Sequence, residues 1–183
     1  MNIFFLDISP SKCAQYHCDK HVVKMILELV QLLYSAHYIQ ESTLPTGAYK
    51  PISNIKHPMC IWVSVCEANY NYTVELANEL SREYTLRYRK VHKCNEHLPF
   101  LRNNIPSFKK IVNYKPDQRF SKNKYFQSIG MTDIPLCMPV DSMYTDTIVS
   151  YRMYYKIHKK YFAKWKNTIP NWFTLFDIRI LFN

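Results

Sequence analysis

The sequence predicts a mainly α protein: a single-domain irregular helical bundle over residues 1–183 with a short extended N-terminal segment. Three observations lead there. Only two of the 183 residues are Gly (Gly47 and Gly130), which argues against a turn-rich β-sandwich and removes glycine loops that cradle phosphates or dinucleotides. Apolar side chains recur at spacings of three and four through three long stretches, the period of a helix buried on one side. A chain of this length, 48% hydrophobic and 21% charged, matches one domain with a real core.

Asn2 to Asp7 reads as the extended segment. Pro10 opens a helix of about thirty residues, because Pro suits a first turn and neither Gly nor Pro follows before Pro45. Val22, Ile26, Leu29, Leu33 and Ala36 form its buried stripe. Residues 43–57 hold Pro45, Gly47 and Pro51 and read as loop. His57-Pro58 opens a second long helix toward Arg89, carrying Trp62, Val65, Asn69, Tyr72, Leu76 and Leu80 on the same beat. Five prolines break residues 91–140 into short helices and ordered loop. Asp141 is the predicted N-cap of a third long helix, which Pro170 stops. The tail from Asn171 to Asn183 is apolar enough to pack back as a last helix.

The net charge of +10 is concentrated. Residues 82–124 carry 12 basic and 3 acidic side chains, and residues 152–166 carry six basic and none acidic. Both blocks are threaded with aromatics, as in Tyr84-x2-Arg87-Tyr88-Arg89-Lys90 and Tyr151-Arg152-x-Tyr154-Tyr155-Lys156-x2-Lys159-Lys160-Tyr161. Cations interleaved with flat rings suit a nucleic acid, cations on phosphates and rings on bases. Candidate contacts are Lys20, Arg87, Arg89, Lys90, Lys93, Arg152, Lys156, Lys159, Lys160 and Tyr154; Tyr155, Phe162 and Trp165 read instead as core. No stretch has the roughly 18 unbroken apolar residues of a membrane span. The opening lacks the basic flank of a signal peptide, and six scattered cysteines read as reduced thiols. A cytoplasmic location, or for a viral protein the host nucleus or replication compartment, is expected, with no secretion, no membrane and no obligate protein partner.

The chemistry-bearing segment is Cys13-Ala-Gln-Tyr-His17-Cys18-Asp19-Lys20-His21-Val-Val-Lys24-Met-Ile-Leu-Glu28. On one continuous helix His17, His21, Lys24 and Glu28 fall in a narrow arc. An exposed face would more simply alternate Glu with Lys, so this row reads as a cleft wall holding an acid or base, a cation and a carboxylate. The wall is expected to border both basic blocks. Cys13-x3-His17-x3-His21 and His92-x-Cys94-x2-His97 have metal-ligand residue types, but neither Cys-x2-Cys nor His-Glu-x-x-His occurs, so no metal and no cofactor is expected.

Taken in order, several pieces resemble the pyrimidine-dimer DNA glycosylase (phage endonuclease V) family. They are the extended start, Ala14-Gln15-Tyr16-His17 through Glu28, His57-Pro58 leading a helix that ends in Glu83-Tyr84-x2-Arg87-Tyr88, and the basic close Lys164-Trp165-x4-Pro170-x-Trp172-Phe173. The opening through Asp19-Lys20-His21-Val-Val-Lys24 also resembles a group of small proteins of phages and large DNA viruses. The first resemblance implies an all-α enzyme that flips a nucleotide from duplex DNA, attacks C1′ with an amine, and nicks by β-elimination. An amine partly unprotonated near neutrality is needed, favouring an α-amino group (about 7.7–8.0) over a lysine (about 10.4), and a carboxylate must steady the cationic sugar. His17 matches the family's helix-face His. Lys24 stands where the family has its catalytic Glu, leaving Glu28, one turn on, or Asp19 as the carboxylate. The family's small N-terminal residue is absent, since Asn2 follows Met1; the amine is then that of Met1, or Lys24 made reactive by Lys20 and desolvation. The function expected is base-excision N-glycosylase, with or without AP-lyase activity. The alternatives are a non-catalytic nucleic-acid-binding viral accessory protein and a metal-assisted nuclease or other hydrolase.

Overall fold

A computed structural model describes residues 1–114 and 120–174 and shows a mainly helical domain. In chain order the helices are α1 (Pro10–Tyr16), α2 (Asp19–Ile39), α3 (Pro58–Val63), α4 (Glu67–Tyr88), α5 (Leu98–Asn103), α6 (Lys124–Ser128), α7 (Thr147–Tyr154) and α8 (Asn171–Thr174). The proline-broken region contains short 3₁₀ turns at Lys93–His97 and Val140–Ser142. Among the described residues its strand structure is one two-residue antiparallel pairing, β1 (Phe120–Ser121) with β2 (Ile134–Pro135). Of the tail helix expected over Asn171–Asn183 the first four residues are helical, as α8, and the sequence from 175 onward lies outside the described residues.

Helix α2 is the core helix, packed against α3 and α4, and α1 packs on α4. Val22, Ile26, Leu29, Leu33 and Ala36 are all fully buried, as the stripe requires. By length and composition α2 could cross a bilayer, but about two-thirds of it is buried in protein.

Each expected long helix is interrupted, and the interruption is held by side chains from afar. The first breaks at His17-Cys18, where the backbone is extended. The carbonyls freed at the end of α1 are taken by Arg87, which donates to Gln15 O and His17 O at 2.9 Å, and by Trp165 Nε1, which donates to Tyr16 O at 3.0 Å. The second breaks at Ser64–Cys66. There Gln40 donates to Ser64 O and the buried Asn69 donates to Trp62 O. The third begins at Thr147, not after Asp141: Asp146 is the N-cap, accepting from Val149 N–H at 3.0 Å. It widens into a π-helical turn at Tyr155–Lys159 and is finished well before Pro170. Asp141 instead faces His158 at 2.8 Å.

The extended start runs through the core without joining a sheet. Its side chains alternate, as an extended chain demands: Phe5 meets Trp62, Tyr72 and Phe126, whereas Phe4 meets His21, Tyr154 and Tyr155. Its backbone groups are satisfied by side chains. Leu6 O accepts from Arg152 Nε at 2.9 Å, Cys13 Sγ donates to Phe4 O at 3.1 Å, and Asn2 N–H donates to Glu28 Oε2 at 3.1 Å.

Candidate active site

That last bond brings the start of the chain to the predicted ionisable row. A pocket of about 310 Å³ opens there, lined among others by Met1, His21, Lys24, Glu28, Tyr154 and Lys159. Glu28 is 8% exposed. One of its oxygens accepts from Asn2 N–H and the other pairs with Lys24 Nζ at 2.9 Å. The Met1 α-amine is one residue from that amide, within about 7 Å of the carboxylate by covalent geometry.

Asn2 is fixed by its side chain, which donates to Cys137 O and accepts from Ile3 N–H and Tyr151 OH. Lys24 is 68% exposed on its side chain and ion-paired, so the desolvation expected of it is absent. His21 is the pocket's inner wall: its ring stacks on Phe4 at 4.5 Å and its Nδ1 hydrogen-bonds Tyr155 OH. Burial holds its imidazole far below the ordinary value, at about 2, with His17, Lys159 and Lys24 pushing the same way. At neutral pH it is an uncharged ring that orients neighbours.

His17 does not share the row. Because α1 ends before it, its ring turns into the core, donating Nδ1–H to Cys13 O at 2.7 Å. It is fully buried, and burial lowers its imidazole to about 4. Asp19 belongs to the α1–α2 joint, pairing with Arg87 at 2.9 Å and accepting from Lys166 N–H at 3.1 Å. The proposed metal sets do not assemble. Cys13 Sγ is engaged by the N-terminal segment; Cys94 lies beside Tyr49 OH, and His97 bonds Tyr34 OH. Among the described residues no three His, Cys, Asp or Glu side chains are placed to hold a metal ion.

The expected phosphate contacts divide. Arg87 is 2% exposed on its side chain and consumed by Glu83, Asp19 and two carbonyls. Arg152 bonds Leu6 O and Asp7 and lies over Tyr16 and Trp172. These two cations are structural. Lys20, Arg89, Lys90, Lys93 and Lys160 are exposed, and Lys156 and Lys159 are half-buried on the π turn. A π turn brings residues five apart to one side, and Lys159 Nζ sits over the Tyr154 ring at 4.4 Å, both at the pocket. The pocket thus borders the 152–166 block; Arg87 and Arg89 of the other block line a separate hollow of about 830 Å³ with Lys166 and Trp172.

Two participants carried no signal of their own. Phe4 reads as plain core, yet it is one of the rings lining the pocket. His57, read as a helix start, caps α3 by accepting from Met59 N–H. Burial lowers its imidazole, the terminal ammonium pushes it further down and Glu28 pulls it back, so all three lie within electrostatic reach. The chain matches no family model, no curated protein and no solved structure.

Proposed function

We propose that this protein is a DNA base-excision enzyme that works through an imine between its Met1 α-amine and C1′ of a deoxyribose. The observation that carries this reading is one small pocket holding the start of the chain, a carboxylate bonded to the adjoining amide, and two lysines. α-Amino groups are as a class far less basic than lysine side chains, so a useful fraction is nucleophilic near neutrality. Attack at C1′ either displaces a base, which leaves with the glycosidic electron pair and takes up a proton, or adds to the aldehyde of a sugar already without one. Glu28 is placed to balance the cationic sugar and to accept a proton. Lys24 and Lys159, with Lys20 and Lys160 nearby in sequence, supply charge for the flanking phosphates.

The test is borohydride trapping of the full chain on duplex DNA containing an abasic site, with the adduct mapped by peptide mass spectrometry. The expected adduct is on residue 1, and a short N-terminal extension that moves the amine out of the pocket removes it. Tight binding with no adduct supports the accessory-protein alternative instead.

A further inference from the structure

We infer that the larger hollow, where the ends of α1 and α4 meet α8, is a second ligand site that takes a nucleoside monophosphate. It shares no lining residue with the pocket at Glu28, so it stands independently of the imine chemistry.

The end of α4 points to it. The helix closes on Arg89, whose backbone is left-handed, with φ 56° and its N–H donating to Thr85 O at 2.9 Å. Gly usually fills such a position because a Cβ is strained there. Residues held this way cluster at ligand clamps and other functional sites. Among the described residues two other non-glycine residues have a positive φ, and both have engaged side chains: Glu41 pairs with Lys110, and Phe108 packs on Tyr70. The Arg89 guanidinium has no hydrogen bond, ion pair or ring contact among the described residues, and Arg89 lines the hollow.

Lys166 is the second cation on offer. Its backbone N–H is fixed on Asp19, and its ammonium lies over the Tyr88 ring at 5.0 Å with no carboxylate partner among the described residues. The interior guanidiniums are spent, Arg87 on Glu83 and Asp19 and Arg152 on Asp7 and Leu6 O. The charge left for a ligand is that of Arg89 and Lys166, which suits the roughly −1.5 to −2 of a phosphate monoester near neutrality.

The remaining lining exceeds what an anion needs. Leu86 is 65% and Ile169 46% exposed, aliphatic surface that inorganic phosphate would leave wet and that can grip the faces of a base. The rings of Tyr16 and Trp172 are already taken by Arg152. Gln15, Thr168 and Asn171 add exposed donors and acceptors of the kind that read base edges. The volume of about 830 Å³ is that of a small-molecule site. A base carrying a terminal phosphate uses all three surfaces, whereas phosphate or a nucleoside uses only part. That chemistry comes either as a free nucleotide or as the phosphorylated 5′ end of a strand.

Isothermal titration calorimetry on the full chain compares the four deoxynucleoside monophosphates with the four nucleosides and with inorganic phosphate. At least one monophosphate should saturate below about 1 mM and bind at least tenfold more tightly than its nucleoside or phosphate. Arg89→Gly removes the guanidinium while giving the left-handed position its preferred residue, so affinity should fall at least tenfold with no drop in the urea midpoint. Lys166→Gln, at an exposed position, should weaken binding in the same way. No saturation, phosphate or nucleoside binding as tightly as the monophosphate, or binding unchanged in both variants overturns the inference. Competition with short oligonucleotides then separates the sources. Displacement by a 5′-phosphorylated strand but not by its 5′-hydroxyl counterpart assigns a strand end, and displacement by neither assigns the free nucleotide. Equal displacement by both means that internal phosphodiesters are recognised, and it overturns the assignment to a monophosphate.

Discussion

Glu28 sits between two groups of opposite use: an amide that fixes it beside the chain start, and a lysine that shares its charge. Glu28→Gln keeps the shape and an acceptor for Asn2 N–H but removes the negative charge and the proton-accepting capacity. We expect cleavage of abasic DNA to fall at least 100-fold, while the dissociation constant at fixed salt changes by less than about threefold, because the exposed lysines are untouched. Single-turnover rates and fluorescence anisotropy measure the two quantities. Comparable loss in both would make Glu28 a binding or folding residue. At this scale the sequence was partly legible. His21, Lys24 and Glu28 share a face because 100° per residue holds along α2. His17 left the row because that rule requires one unbroken helix. Lys159 and Tyr154 were visible as interleaved cation and ring, but not as neighbours of Glu28.

The helix breaks explain why. No Gly or Pro stands at His17-Cys18 or at Ser64–Cys66, so neither interruption has a local signature. Both are decided by tertiary partners that satisfy the freed carbonyls, Arg87 and Trp165 at one and Gln40 and Asn69 at the other. Helix existence and the buried stripe of α2 were readable from period alone, whereas continuity was not. The same holds for the π turn, whose register depends on Tyr155 packing into the core. Arg87 gives the direct test. Its guanidinium is a cation at the C-terminus of α1, a favourable place for one, and it neutralises Glu83 and Asp19. Arg87→Met removes the cation between two carboxylates, leaving Asp19 only Lys166 N–H and Glu83 only Asn167 Nδ2–H, and takes the guanidinium donor from the Gln15 and His17 carbonyls. Removing one partner of a buried ion pair typically costs about 3–5 kcal/mol, and urea denaturation should show a loss of that size. A loss below about 1 kcal/mol would mean that the joint is held otherwise and that α1 and α2 are not locked in this angle.

For the whole molecule, the buried histidines set how stability depends on pH. Burial lowers His17 and His37 to about 4 and His21 to about 2, against roughly 6.5 for an unfolded histidine. A folded value below the unfolded one means that the unfolded chain binds protons the native state refuses. The stabilisation is therefore complete above about pH 6.5 and is lost as pH falls toward 4 for His17 and His37 and toward 2 for His21, each neutral histidine contributing up to about 1.4 kcal/mol per pH unit through its window. For His17 alone the loss by pH 4 is on the order of 3 kcal/mol, a large share of the 5–15 kcal/mol of an ordinary domain. Urea midpoints measured at pH 7.5, 6, 5 and 4 should fall steeply below 6.5. Stability that stayed level from pH 6.5 to 4.5 would show that these imidazoles accept protons in the folded state, contrary to their burial. Because His21 is both one of these groups and the pocket's inner wall, acid should loosen the site by opening the core behind it. Activity on abasic DNA should then follow the fraction folded as acid removes this stabilisation.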